Sequence, residues 1–294
     1  MSKNKLLTVK ECKNLTLKKT KYLYDKYVNP GLTKSLNSFS FGQDLVTKSE
    51  NLTIHTKSKK KIIDFSGGLG VLNFGHNPNN ILKEIIKFKK EKRMEVHKNF
   101  FSQFTAGLSY NLSQLFDQKL NYSFFCNSGA ESVDGAIKMA YKYYSGKRNI
   151  ILHSDIAFHG KLLGSLSVSA DKENTFKFPK INFGKSFKYN DLKSLKSKIK
   201  KHKASNIFAI IIEPFSASTY KSCSREFLEG CVELGKKYNI KIIYDEIYSG
   251  FGKTGSNFFF QKYNNIYPNI LILSKSFGGG KSSISGYICD NDTL

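Results

Sequence analysis

Arginine is scarce in this chain. Of its 47 basic residues only Arg93, Arg148 and Arg225 are arginines, so a formal charge of +24 rests almost wholly on lysine. Proteins that read nucleic acids lean on the guanidinium fork for phosphates and base edges, and these lysines are scattered along the whole length among Asn, Ile and Phe. We read the charge as a compositional bias and expect no nucleic-acid partner; its one expected effect is attraction of anionic small molecules. Cysteine is also sparse: Cys12, Cys126, Cys223, Cys231 and Cys289 form no CxxC pair and no metal-like group, which predicts reduced thiols, a cytoplasmic location and no metal site. No stretch approaches the length of apolar sequence needed to cross a bilayer. Met1-Ser2-Lys3-Asn4-Lys5 opens no apolar run, so neither a membrane span nor a signal peptide is expected. Internal repeats at solenoid periods are absent as well.

What is present is a chain of 294 residues, 40% hydrophobic, long enough to bury a sizeable core. Residues up to about Phe39 are polar and lysine-rich, with helical patterning from Thr16 to Val28. Leu52–His55 and Lys61–Phe65 read as two short strands, and the polar Lys57–Lys60 between them predicts a hairpin. Turn-forming residues from Ser66-Gly67-Gly68 to Gly75-His76-Asn77-Pro78 mark a crossing into a main domain. The expected division is therefore a segment 1–75 and a large domain 76–294. In the latter, strand candidates at Tyr122–Cys126, Asn149–His153, Ile207–Ile212, Ile240–Tyr244, Ile270–Leu273 and Ile284–Ile288 alternate with amphipathic helices, which predicts an α/β fold. Several of these runs are continuously apolar, as in strands covered on both faces. One helix sets Val133, Ala136, Ile137, Ala140, Tyr141 and Tyr144 on a common face, and another does so with Phe227, Leu228, Cys231 and Leu234.

Chemistry-bearing residues collect where these strands end. Lys275 stands between the apolar Leu271-Ile272-Leu273 and the triple glycine Gly278-Gly279-Gly280, and Asp245 ends Ile242-Ile243-Tyr244. An amine and a carboxylate at two strand ends of one sheet can grip a flat cationic heterocycle, which is the chemistry of pyridoxal phosphate: the amine bonds the aldehyde carbon and the acid keeps the ring nitrogen protonated. Asn127-Ser128-Gly129-Ala130-Glu131 follows a strand and opens a helix, where exposed N–H groups suit a phosphate; read alone it fits an ordinary N-cap equally well. Phe158, in Ala157-Phe158-His159-Gly160, can stack on a flat ring or fill a core, and a lone His159 is more often structural than catalytic. Glu213, ending Ile211-Ile212, is a charge that needs a partner, whether a ligand or a lysine. The acidic pair Asp245-Glu246 has no histidine near it in sequence, which weakens a metal reading.

Taken together these segments resemble the class III aminotransferases, pyridoxal-phosphate enzymes of fold type I. Ser128–Lys138 resembles the family's phosphate-loop segment, Phe158-His159-Gly160 its ring-stacking motif, Glu213-Pro214 its strand-end Glu-Pro, Asp245–Gly255 its most diagnostic stretch and Pro268–Gly280 its cofactor-lysine segment. The motifs stand in family order with family-like spacing, and the resemblance runs from about Phe41 to the end. It implies a mostly parallel seven-stranded sheet flanked by helices, with Lys275 bound to the cofactor and shuttling the proton. Asp245 is then paired with the ring nitrogen, Phe158 and Ile247 on opposite ring faces, and Ser128, Gly129 and Ala130 on the phosphate. His159, Glu213 and Tyr248 fall beside the cofactor, Glu213 toward its phenolic side, and Gly68 lies at the active-site mouth. It further implies amine and 2-oxo acid substrates and a homodimer. Departures are Tyr248 in place of a common glutamine, Lys253 in place of an arginine, and Ser282 in place of a proline. Family chains also continue past Leu294, so a C-terminal small domain is expected to be absent here. Phe158-His159-Gly160-Lys161 with Leu163-Gly164 looks most like the putrescine-, ornithine- and acetylornithine-type enzymes, implying transfer from a terminal amine to 2-oxoglutarate. The alternatives are a glutamate-1-semialdehyde aminomutase-like enzyme, a truncated inactive member, or a basic nucleic-acid binder that shares the fold.

Overall fold

A computed structural model describes residues 6–94, 99–170, 180–264 and 266–294, Phe41 by its backbone alone. The chain divides into two compact units, Met1–Phe65 with Gly75–Pro78, and Ser66–Phe74 with Asn79–Leu294.

In the first unit, short helices at Val9–Lys13, Leu17–Leu23 and Pro30–Asn37 start at Thr8, Thr16 and Asn29, whose side chains accept backbone N–H groups as N-caps. The patterning expected to Val28 continues beyond Leu23 as a wider π turn, Tyr24–Val28. Three strands, β1 (Val46–Glu50), β2 (Thr53–Thr56) and β3 (Lys61–Ile63), form an antiparallel sheet in that order. The β2–β3 hairpin is the expected one; β1 was not foreseen, because Val46-Thr47-Lys48-Ser49-Glu50 is too polar to signal a strand. The division expected at residue 75 falls differently. Gly75–Pro78 belongs with the first unit, where the Asn51 and His76 backbones exchange hydrogen bonds of 3.0 and 2.7 Å. Ser66–Phe74 belongs with the second, where Asn73 Nδ2 donates to the Phe251 carbonyl at 2.6 Å.

Among the described residues of the second unit, seven strands form one sheet. They are β4 (Tyr122–Cys126), β5 (Ile150–Ser154), β6 (Gly184–Phe187), β7 (Ile207–Ile212), β8 (Lys241–Asp245), β9 (Ile270–Leu273) and β10 (Ser285–Cys289), in the order β4-β10-β9-β8-β7-β5-β6. All neighbours pair in parallel except β10, which runs antiparallel to both β4 and β9. Every residue of β7, β8 and β9 is buried, and alternation divides them between two cores. Ala209, Ile211, Ile243, Ile270 and Ile272 meet Val133, Ala136, Ile137 and Ala140 of the helix Gly129–Tyr143. Ile210, Ile212, Ile242, Tyr244, Leu271 and Leu273 meet Phe227, Leu228, Cys231 and Leu234 of the helix Arg225–Tyr238. Tyr141, expected on the inner face of the first helix, is instead 43% exposed: its hydroxyl stays near the Gly146 carbonyl while the ring edge touches Phe208. β6 was not foreseen either, since Gly-Lys-Ser-Phe has no apolar run and becomes a strand only by pairing with β5. Because the sheet is mostly parallel, the C-terminal ends of β4, β5, β7, β8 and β9 share one edge, which is where ligands of such sheets bind.

Candidate active site

Around that edge lies a cavity of about 210 Å³ lined by Gly129, Ala130, Phe158, His159, Gly160, Glu213, Ala217, Asp245, Ile247, Tyr248, Ser274 and Lys275. It gathers nine of the ten residues singled out from the sequence. The tenth, Ser128, stands one residue outside the lining as the N-cap of Gly129–Tyr143. Its Oγ accepts the Glu131 N–H at 3.3 Å, and the Glu131 carboxylate accepts the N–H groups of Ser128 and Asn127 at 2.8 and 3.0 Å. Both the capping and the ligand reading of this turn therefore have a physical basis. The cap satisfies the outer amides, while Gly129 and Ala130, as the first residues of the helix, have no intrahelical acceptor and line the cavity at the positive end of the helix dipole. Gly68, expected at the mouth, is not among the lining residues.

Glycine at 129 is a packing requirement. A Cβ there would stand 2.9 Å from Ile247 Cδ1 and 3.3 Å from Ser274 Cβ, so the helix start could not lie so close to β8 and β9. Gly160 plays the matching part on the other side: its φ is +131° and a Cβ would approach Ala130 Cβ to 2.8 Å. The helix start is held from behind by Asp134, whose Oδ1 accepts the Ser165 N–H at 2.7 Å.

Asp245 ends β8 almost fully buried, and its two oxygens are spoken for: Oδ1 accepts the Ile247 N–H at 3.0 Å, and Oδ2 meets His159 Nδ1 at 2.7 Å. Burial of His159 favours the neutral ring, but the hydrogen bond to Asp245 and the charges of Asp245 and Glu213 outweigh it, and the histidine pKa lies above its ordinary value. The backbone of His159 is fixed by Ser169 Oγ at 2.9 Å, while its Nε2 is buried with no partner among the described residues. The contact with His159 and the Ile247 N–H together fix the Asp245 carboxylate at the cavity wall. Neighbouring Glu246, the first residue past β8, is fully buried and does not line the cavity. It accepts Ser249 Oγ and the N–H groups of Phe259 and Phe260 at 2.6 to 2.9 Å, which organises the loop after β8. Among the described residues no group of three His, Cys, Asp or Glu side chains is placed to hold a metal.

Glu213 directly follows β7, buried, with Oε2 on the Phe158 N–H at 2.8 Å and Oε1 on the Ala217 N–H at 3.2 Å. Burial raises its pKa, Asp245 adds to the rise, and His159 and the two amides oppose it. Tethered in this way, Phe158 is 47% exposed, its ring free to lie against a flat ligand. Tyr248 is stacked on Phe215 at 6.1 Å and 8°, with Tyr220 edge-on at 6.3 Å. Lys275 opens a short 3-10 turn directly after β9 and Ser274, with φ of +50°, a left-handed conformation costly for a side-chain-bearing residue. Its Nζ lies 5.0 Å from the centroid of the Tyr248 ring. Burial lowers its pKa, and Asp245 and Glu213 oppose that shift; the result favours a free amine more than an exposed lysine would.

Sequence reasoning named nine of the twelve lining residues and did not single out Gly160, Ala217 and Ser274. Gly160 and Ser274 adjoin the motifs and could have been read from them; Ala217, which reaches the cavity through Glu213, could not.

The comparisons with known proteins point the same way. The family model described as aminotransferase class-III matches residues 40–294. The chain is 32% identical over 258 residues to the acetylornithine aminotransferase of Clostridium acetobutylicum, covering 85% of this chain and 64% of that protein. It therefore spans less than two thirds of that curated relative. Similar solved structures include the ornithine aminotransferase from Toxoplasma gondii, with a TM-score of 0.83, 21% identity and coverage of 98% of this chain and 68% of that one. Another is the taurine:2-oxoglutarate aminotransferase from Bifidobacterium kashiwanohense, with a TM-score of 0.82, 22% identity and coverage of 95% and 66%. At these identities the structures speak for the fold, a mostly parallel sheet of the fold type I kind. A cavity edged by the five motif segments and a family match over most of the chain lead to one conclusion: this chain belongs to the class-III aminotransferases.

Proposed function

We propose that this chain binds pyridoxal phosphate through Lys275 and transfers an amino group from an amine donor to a 2-oxo acid. What supports the reading is the convergence on one cavity of a half-buried amine, a buried carboxylate with its own histidine, and the first two residues of a helix. These are three grips suited to an aldehyde, a pyridinium and a phosphate. The first residues of the helix Gly129–Tyr143, with Ser128, hold the phosphate. Asp245 holds the ring nitrogen protonated, with His159 keeping the carboxylate aligned, while Phe158 and Ile247 pack on the ring faces. Glu213 and Tyr248 border the cofactor's remaining edge. When bound, the cofactor supplies an electron-withdrawing ring that stabilises negative charge at the substrate carbon.

Lys275 then removes and returns the proton at that carbon. A lysine needs its ordinary value of about 10.4 lowered to act as a base near neutrality, and burial of Lys275 works in that direction. For the donor, the reading favours the terminal amine of a diamine or ornithine-like molecule, with 2-oxoglutarate as acceptor. Its supports are Phe158-His159-Gly160-Lys161 with Leu163-Gly164 and the likeness to an acetylornithine aminotransferase. The reading also includes a second copy of the chain as partner and a cytoplasmic setting. The former is supported by the exposed Ile85, Ile86, Phe100, Phe101 and Phe104, and the latter by five cysteines that are all free. No helix among the described residues is long and apolar enough to cross a membrane.

The test is a spectral titration. Purified protein given pyridoxal phosphate should turn yellow, and putrescine, ornithine or acetylornithine should bleach the visible band, with 2-oxoglutarate restoring it. Protein that colours but does not respond to any amine would make the chain a cofactor-binding remnant. Protein that stays colourless would remove the reading altogether.

A further inference from the structure

The loop Ser66–Phe74 holds four consecutive residues in the left-handed region. Gly67, Gly68, Leu69 and Gly70 all have positive φ, +51, +63, +60 and +80°. Hydrogen bonds from Gly70 N to Ser66 O at 3.0 Å and from Val71 N to Gly67 O at 2.9 Å close them into a turn of left-handed helix. Left-handed turns are unfavourable for L-residues, and Leu69, with no freedom of the glycine kind, sits in one while 79% exposed. Such a turn persists only where its surroundings fix it.

The fixing group is Lys253. Lys253 Nζ donates to the Gly70 carbonyl and, at 3.2 Å, lies on Ser276 Oγ. Ser276 Oγ in turn donates to Asn73 Oδ1 at 2.7 Å, and Asn73 Nδ2 donates to the Phe251 carbonyl at 2.6 Å. Three segments are thereby closed into one network: the left-handed loop, the stretch after β8, and the turn that carries Lys275. The turn is the rigid partner, since it leaves the fully buried β9 and Ser276 is itself buried. The loop ends against the cavity wall. A Cβ on Gly70 would stand 2.8 Å from Tyr248 Cε2 and 3.3 Å from Lys253 Nζ, and Tyr248 lines the cavity.

We propose that Lys253 is a positioning residue, which suspends the left-handed loop Ser66–Phe74 from the Lys275 turn and so sets the wall of the cavity at Tyr248. The hydrogen bonds require no bound cofactor; only the consequence for turnover rests on the function proposed above. A methionine at 253 keeps the stem and removes both donated bonds, whereas an arginine keeps a charged donor.

The experiment is hydrogen exchange on cofactor-free wild type, K253M and K253R, followed by kinetics of the cofactor-loaded proteins. In K253M the amides of Gly70–Asn73 should exchange about tenfold faster or more, as expected for loss of a charged hydrogen bond. The amides of β7 to β9 should stay at wild-type rates, which separates a local release from general destabilisation. K253R should restore loop protection. With cofactor and amine, K253M should raise KM about tenfold and change kcat far less, because the Lys275 turn is held by β9 and not by the loop. If K253M fails to fold, S276A removes one link of the same network and should loosen the same amides. Unchanged loop exchange in K253M or S276A overturns the proposal even if the protein transaminates. Loosened loop amides in a protein that never takes up pyridoxal phosphate would uphold it while removing the function.

Discussion

The two edges of the seven-stranded sheet handle polar groups in opposite ways. At the edge formed by the N-terminal ends of β5, β7, β8 and β9, donors and acceptors are matched. Arg148 Nη1 donates to the carbonyls of Ile207 and Asn239 at 2.8 and 2.7 Å, with its guanidinium 4.0 Å from the Tyr144 ring centroid. Lys241 Nζ meets Asp292 at 2.5 Å, and Asn269 joins the Ile242 N–H to Asp290 at 2.9 and 2.7 Å. At the C-terminal edge, His159 Nε2 has no partner among the described residues, Lys275 is held at positive φ, and Gly129 and Ala130 line the cavity as the first residues of their helix. The first edge spends its polar groups on the scaffold, and the second holds them ready for something else. A single sheet can do both because the middle of its buried centre is apolar: β7 and β9 are apolar along their length, and β8 carries its charges, Lys241 and Asp245, only at its two ends.

Mutations should separate the two edges. The largest effect is expected for K275A, which should cut amino transfer on the order of 10⁴-fold by removing the nucleophile and the base together, while leaving the thermal midpoint close to wild type. D245N should lower the amine half-reaction by about 10²–10³-fold, the usual scale for loss of a preorganised charge, followed as the rate of loss of the visible band. At the opposite edge R148M should leave cofactor uptake intact but destabilise the fold by about 2–4 kcal/mol in urea, since two charge-assisted hydrogen bonds to carbonyls are lost. If R148M impaired uptake as strongly as D245N does turnover, the division between scaffold edge and site edge would fail.

Glu246 gives a pH test of the same division. Burial pushes its pKa from an ordinary 4.5 up to about 7, against the donors Ser249, Phe259 and Phe260. A raised folded-state pKa means that the folded protein binds the proton more tightly than the unfolded chain. The contribution is complete below about 4.5 and fades as pH rises through about 7. Wild type measured against E246Q should therefore lose up to about 3 kcal/mol of relative stability across that window. His153, lowered to about 4 by burial, has the opposite sign, but it is common to both proteins and cancels in the difference. The smallest effect is expected for G129A: the new methyl displaces Ile247 and should weaken pyridoxal phosphate affinity about tenfold with little change in unfolding midpoint.

Much of this architecture was legible in the sequence because it is written in local patterns. Ile207–Ile212 and Ile270–Leu273 were readable strands since continuous apolar runs of that length suit a sheet covered on both sides. The lining residues were readable because they follow such strands directly. Partnerships made only by the fold were out of reach. His159 and Asp245 are 86 residues apart and meet because their strands end at one edge, so His159 looked like an isolated histidine. Asp245 and Glu246 looked like one acidic pair, yet Asp245 lines the cavity while Glu246, past the strand end, is bonded to Ser249, Phe259 and Phe260. β6 depended on pairing, not on its own composition, and the loop boundary near residue 75 depended on which unit each backbone segment bonds to. Lys253 was visible as a departure from the family pattern, yet nothing in sequence joined it to Gly70, 183 residues away.

The central claim is that one lysine of 44 is singled out by its place in the fold. Borohydride reduction of the protein in the presence of pyridoxal phosphate, followed by peptide mass spectrometry, tests it directly. The account predicts stoichiometric label on Lys275 at cofactor concentrations too low to modify the others. Label spread over many lysines, or concentrated at a different one, would contradict it.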